Sequence, residues 1–138
     1  MTPYLHKIQY YETDMMGIVH HSNYIRWFEE ARCDLLEQLG IPYSLHESEG
    51  IISPVLGVNV SYKHVMRYGD TAKVEVFLLR LTGAKYTVGY RIYNADTGEL
   101  CVTGESNHCY VDKDFKPISL KRVKPDWFAM LKALEVEQ

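Results

Sequence analysis

The chain has 138 residues, 46% hydrophobic and 24% charged, with a net charge of −3 at pH 7. That length suits one domain with a substantial core, and the composition excludes disordered and fibrous classes. The slight acidity offers no general attraction to nucleic acid or anionic lipid, and no apolar run approaches the roughly 20 residues of a membrane-spanning helix.

The opening residues, Met1-Thr2-Pro3-Tyr4-Leu5-His6-Lys7, lack the apolar core of a signal peptide, so the expected location is the cytoplasm. The three cysteines agree, being odd in number and without a Cys-x-x-Cys pair. Cys101 and Cys109 fall in one predicted strand, about 26 Å apart and too far to bridge each other. Reduced thiols are expected.

In chain order, loose alternation over residues 4–12 predicts a first strand ending near Asp14. A helix is predicted from Tyr24 to Leu39, capped by Ser22 or Asn23 and stopped by Gly40 and Pro42. On a helical wheel Tyr24, Ile25, Trp27, Phe28, Ala31, Leu35, Leu36 and Leu39 fill one broad half, with Arg26, Glu29, Glu30 and Glu37 opposite. An arc that wide exceeds what a flat neighbour covers, so it predicts a sheet curled around the helix.

A short helix over Tyr43–Glu49 is followed by strands. Val58, Val60 and Tyr62 share a face, as do Ala72, Val74, Val76 and Leu78, and then Tyr86, Val88, Tyr90 and Ile92. Turns are predicted at Tyr68-Gly69-Asp70, at Thr82-Gly83 and at the hairpin Asn94–Gly98. A last strand spans Glu99–Val111, and a final helix runs from Pro125 to about Leu134. Segregated helix and strands make this α+β, and with no linker or repeat the whole of 1–138 reads as a single domain. Ten-residue strands reach ~33 Å against ~25 Å for the helix, long enough to cover it. One long central helix wrapped by a curved antiparallel sheet is the hot-dog arrangement.

The chemistry concentrates at residues 10–24. Helix N-termini leave N–H donors unpaired and carry positive dipole charge, so they stabilise a developing oxyanion. Gly17 allows the backbone to bend and to approach a substrate closely. Asp14, between strand and helix, reads on its own as a turn or capping residue. The adjacent pair His20-His21 seldom faces one ion, and no Cys or carboxylate stands at ligand spacing, so no metal and no cofactor is assigned. Serine-elbow, zinc-protease and phosphate-loop signatures are missing. Arg32, inside the apolar arc, reads as a snorkelling or salt-bridged side chain, and Cys33 as inert packing.

The spacing Tyr10, Asp14, Gly17, Val19, His21, Tyr24 resembles the acyl-CoA thioesterases of the 4-hydroxybenzoyl-CoA thioesterase type. The likeness continues through Phe28-Glu29-Glu30-Ala31-Arg32, the turn Arg67-Tyr68-Gly69-Asp70, and Lys116-Pro117. It implies hydrolysis of an acyl-CoA or acyl-carrier thioester, with Asp14 as nucleophile or general base and the His21 main-chain N–H as oxyanion donor. Gly17, Val19, His20, Tyr24, Lys85 and Lys116 are the implied substrate contacts, Lys85 toward the nucleotide. The resemblance also implies a homodimer or homotetramer with active sites at subunit interfaces. Met15, Met16 and the pair Val65-Met66 depart from the family pattern and bear on the acyl pocket. The segment Lys113–Lys124, rich in cations, reads either as a solvated stretch or as a phosphate-binding patch. Two other classes stand beside the hydrolase. A non-catalytic acyl-CoA binding module has no need of Asp14, and a hot-dog hydratase or dehydratase places its His before its Asp, the reverse of the order here.

Overall fold

The computed structural model describes residues 1–136. In order come β1 (Tyr4–Lys7), a single 3-10 turn (Tyr10–Glu12), α1 (Ser22–Gln38), α2 (Tyr43–Ser48) and β2 (Val55–Tyr62). Then follow β3 (Thr71–Leu81), β4 (Lys85–Asn94), β5 (Leu100–Cys109), α3 (Leu120–Val123) and α4 (Pro125–Lys132). The strands form one five-stranded antiparallel sheet in the order β1-β3-β4-β5-β2. β1 meets β3 with Tyr4 opposite Val74 and Lys7 opposite Thr71. At the other side, Lys63 N–H donates to Cys101 O and Cys109 N–H to Pro54 O, which fixes β2 antiparallel to β5.

The chain divides into two compact units. Met1–Leu35, Val60–Val76 and Tyr90–Gly104 form the first; Leu36–Asn59, Phe77–Gly89 and the chain from Glu105 form the second. Trp27, Phe28, Met66, Val74, Tyr90, Ile92 and Val102 are the buried centre of the first unit, while Ile41, Ile51, Leu78, Tyr86, Val88, Tyr110 and Leu120 fill the second.

α1 buries Tyr24, Trp27, Phe28 and Ala31, one stripe at i, i+3, i+4 and i+7. The buried face is narrower than the predicted arc, because Ile25 remains 40% exposed. Phe28 lies flat on Tyr90 of β4, ring centroids 4.1 Å apart at 8°. The helix ends as its sequence predicts. Gly40 takes φ 80°, Gly40 N–H bonds Glu37 O, and Ile41 N–H returns to Leu36 O at 3.0 Å, a Schellman close.

Several expectations need correction. The first strand stops at Lys7 rather than continuing to residue 12, because the Gln9 N–H turns to the Glu12 carboxylate (2.8 Å) and a 3-10 turn begins. The last strand is shorter than predicted, ending at Cys109. The expected face of Val58, Val60 and Tyr62 is largely uncovered, since β2 is an edge strand. α3 is an element that the pattern does not announce; its Leu120 N–H donates to Gly83 O at 2.7 Å. Part of the basic segment serves structure there. Lys124 pairs with Glu49 at 3.1 Å and lies over the Trp127 ring, while Lys121 lies over Phe128. None of the three cysteines forms a disulfide.

Candidate active site

The segment from Glu12 to His20 is a small hairpin in the first unit. Thr13 bridges Val19, Asp14 N–H donates to Ile18 O at 2.9 Å, and His20 N–H donates to Glu12 O at 2.9 Å. Val19 N–H is held by Met66 O, also at 2.9 Å. Gly17 closes the turn with φ 78°, a left-handed conformation that other residues adopt only with strain. Met15 and Met16 project from the tip, 105% and 73% exposed. Asp14 is half-buried, and its Oδ1 accepts the Met16 N–H at 2.8 Å, so the carboxylate braces its own turn.

The hairpin delivers the chain to α1 through His21. Among the described residues the His21 N–H has no acceptor. The helix behind it has no acidic residue in its first turn, so no carboxylate of that turn offsets its positive end. The two expected caps do not cap. Ser22 Oγ lies 2.8 Å from His20 Nδ1, and the Asn23 side chain donates its Nδ2 to Glu12 O at 2.8 Å.

A cleft of about 170 Å³ opens beside His21, walled by Val19, Tyr24, Tyr62, His64 and Val65. The ring of Tyr62 is 5.6 Å from Tyr24 and 6.2 Å from His21, and His21 stacks on His20 at 4.3 Å. Burial, helped by the neighbouring Cys101 and Tyr62, pushes the Tyr24 phenol up to about 12, so it is neutral at physiological pH.

Of the residues predicted from sequence, Val19, His21 and Tyr24 line this cleft. Asp14, Gly17 and His20 stand on the hairpin beside it, outside its lining. Lys85 belongs to the second unit, in a separate cleft of about 350 Å³ with Arg80, Thr87, Asn107 and His108, which no carboxylate lines. Lys116 sits in an exposed turn, its N–H on Asp112 Oδ1 at 3.0 Å, and lines neither cleft. Arg32 donates Nη1 to the Tyr90 hydroxyl at 2.9 Å, a structural bond within the first unit.

Glu12 escaped the sequence reading. Only 5% exposed, it accepts from Gln9 N–H, from Trp27 Nε1 at 2.8 Å, and pairs with His6 Nε2 at 2.7 Å. Burial alone pushes its carboxyl up; the donors from Gln9, His6 and Trp27 together outweigh that and hold it below the usual range. Tyr62 and His64 were missed as cleft residues too, because nothing local ties them to a segment forty residues earlier; Val65, singled out by its departure from the family pattern, does line the cleft.

An open antiparallel sheet with a long helix entered through an Asp-bearing hairpin is the hot-dog class of α+β architecture. Residues 8–130 match the thioesterase-like superfamily, and the chain belongs to that family. It is similar to the Bacillus subtilis "Putative acyl-CoA thioesterase YneP", 45% identical over 122 residues, 88% of each chain. The crystal structure of a DHNA-CoA thioesterase from Staphylococcus aureus superposes with a TM-score of 0.89 at 38% identity, covering 96% of this chain and 91% of that one. A hypothetical protein, TT1821 from Thermus thermophilus, gives a TM-score of 0.88 at 29% identity over 99% and 98% of the two chains. The resemblance read from residues 10–32 is borne out at the level of family.

Proposed function

We infer that this protein is an acyl-CoA thioesterase, cleaving the thioester to a free acid and a thiol. The acyl group is carried by coenzyme A or by a carrier protein, and Asp14 drives the attack. As general base it takes a proton from water while the water oxygen bonds the carbonyl carbon; as nucleophile it forms an anhydride that water then opens. In either route the His21 N–H stabilises the oxyanion, and collapse expels the thiolate, which is protonated to the thiol. One oxyanion donor contributes ~3–4 kcal/mol and a general base roughly 10²–10⁴-fold.

The observation carrying this reading is the unoccupied His21 N–H, at the positive end of a 17-residue helix and on the wall of an aromatic cleft. A half-buried carboxylate stands on the same hairpin. Gly17 and His20 shape that hairpin, Val19 and Tyr24 contact the acyl group, and Lys85 and Lys116 meet the coenzyme's phosphates. The chain acts as a single hot-dog domain over 1–138, the sheet curving around α1. It works in the cytoplasm as a homodimer or homotetramer with sites at the interfaces, for which the uncovered apolar face of β2 is the supporting feature. Replacing Asp14 by Asn lowers thiol release from acyl-CoA at least ~100-fold while substrate still binds. Undiminished hydrolysis by that variant removes the assignment.

A further inference from the structure

Ser and Asn at a helix start normally turn their side-chain oxygens onto the first free N–H groups. In α1 both are diverted. Asn23, 7% exposed, spends its amide on the carbonyl oxygen of Glu12, eleven residues upstream, while the Ser22 hydroxyl is drawn to His20 Nδ1. The Glu12 carbonyl also accepts the His20 N–H. Glu12 in turn is anchored through its carboxylate to His6, Gln9 and Trp27. The Ser22 N–H is taken by His20 Nδ1 at 3.3 Å and the Asn23 N–H by His20 O at 3.0 Å, whereas among the described residues the His21 N–H has no acceptor.

We propose that Asn23 and Glu12 are positioning residues that keep the His21 N–H uncapped, so that this main-chain donor stays available to the thioester oxygen. The inference rests on the thioesterase reading. A side-chain oxygen folded onto the His21 N–H would make a sounder helix start but an inert oxyanion site, since it would occupy the donor that the transition state needs.

Two substitutions separate this role from a merely structural one. Asn23→Ala removes the tether to Glu12 and supplies no competing cap. Asn23→Asp also removes the tether, but brings an anionic acceptor that folds back on the helix N–H groups and repels a developing oxyanion. The expected order of kcat on an acyl-CoA is wild type, then Asn23→Ala lower by roughly 10-fold, then Asn23→Asp lower by at least ~100-fold, with KM little changed. In thermal unfolding Asn23→Asp is at least as stable as Asn23→Ala. Activity that follows stability, with Asn23→Asp the more active of the two, overturns the proposal, as does equal activity in both variants. Wild type and Asp14→Asn are run alongside. Thiol release by the former and its loss in the latter uphold the thioesterase reading, leaving the order of the Asn23 variants to judge this inference alone. A wild type that releases no thiol removes both.

Discussion

Glu12 shows how much one side chain can decide. Its carboxylate is buried but has three donors, so the charged form is favoured in the folded state. Because its folded pKa lies below the unfolded value of about 4.3, the stabilisation is present above that value and is lost as pH falls through the folded value. Glu12→Gln, which cannot ionise, is therefore less stable than wild type at about pH 6, and the gap narrows toward about pH 3. Urea denaturation at a series of pH values measures it, and a gap that does not change with pH would show that ionisation is irrelevant there. None of this was legible beforehand. Glu12 reads only as the end of a strand, and the rule that assigns Ser22 and Asn23 as caps is a local one. The competing acceptor, the Glu12 carbonyl, is set by tertiary folding, and local rules cannot anticipate it.

At the scale of elements the sequence was a better guide wherever burial alternates on a covered strand. β3 buries Ala72, Val74 and Leu78 and β4 buries Tyr86, Val88, Tyr90 and Ile92, as their period-two pattern predicts. The hairpin between β4 and β5 follows from Asn94, whose Oδ1 accepts the Asp96 and Thr97 N–H groups. β2 fails for a physical reason: its alternation is real, but an edge strand has no cover for its apolar side. A helix-to-sheet anchor in the first unit is Phe28 on Tyr90, with Phe28 only 1% exposed. Phe28→Ala removes that stack and leaves a cavity, so it costs about 3–5 kcal/mol of unfolding free energy at 25 °C. A loss under about 1 kcal/mol would mean that the stack is not an anchor.

Across the whole molecule, the five-stranded sheet ends in two edges, and they differ. β1 is four residues long, whereas β2 is eight residues long and displays Leu56, Val58 and Tyr62 at 56%, 41% and 50% exposure on one side. Long apolar edges attract further strands, and native proteins cover or charge them. Under the proposed homo-oligomer this strand is the buried seam. Val58→Lys accordingly shifts sedimentation toward monomer and lowers turnover, Tyr62 of the same strand being a wall of the His21 cleft. An unaltered assembly with Lys at that position would move the seam elsewhere.

The brace that Asp14 gives its own turn has a consequence for how this protein can vary. One oxygen of that carboxylate is spent on the Met16 N–H, and under the proposed mechanism its twin acts on water or on the acyl carbon. On that reading chemistry and loop architecture share a single side chain. A lineage that exchanged this acid for a longer homologue would have to redraw the bend in the same stroke, which makes the position far less negotiable than its modest burial implies.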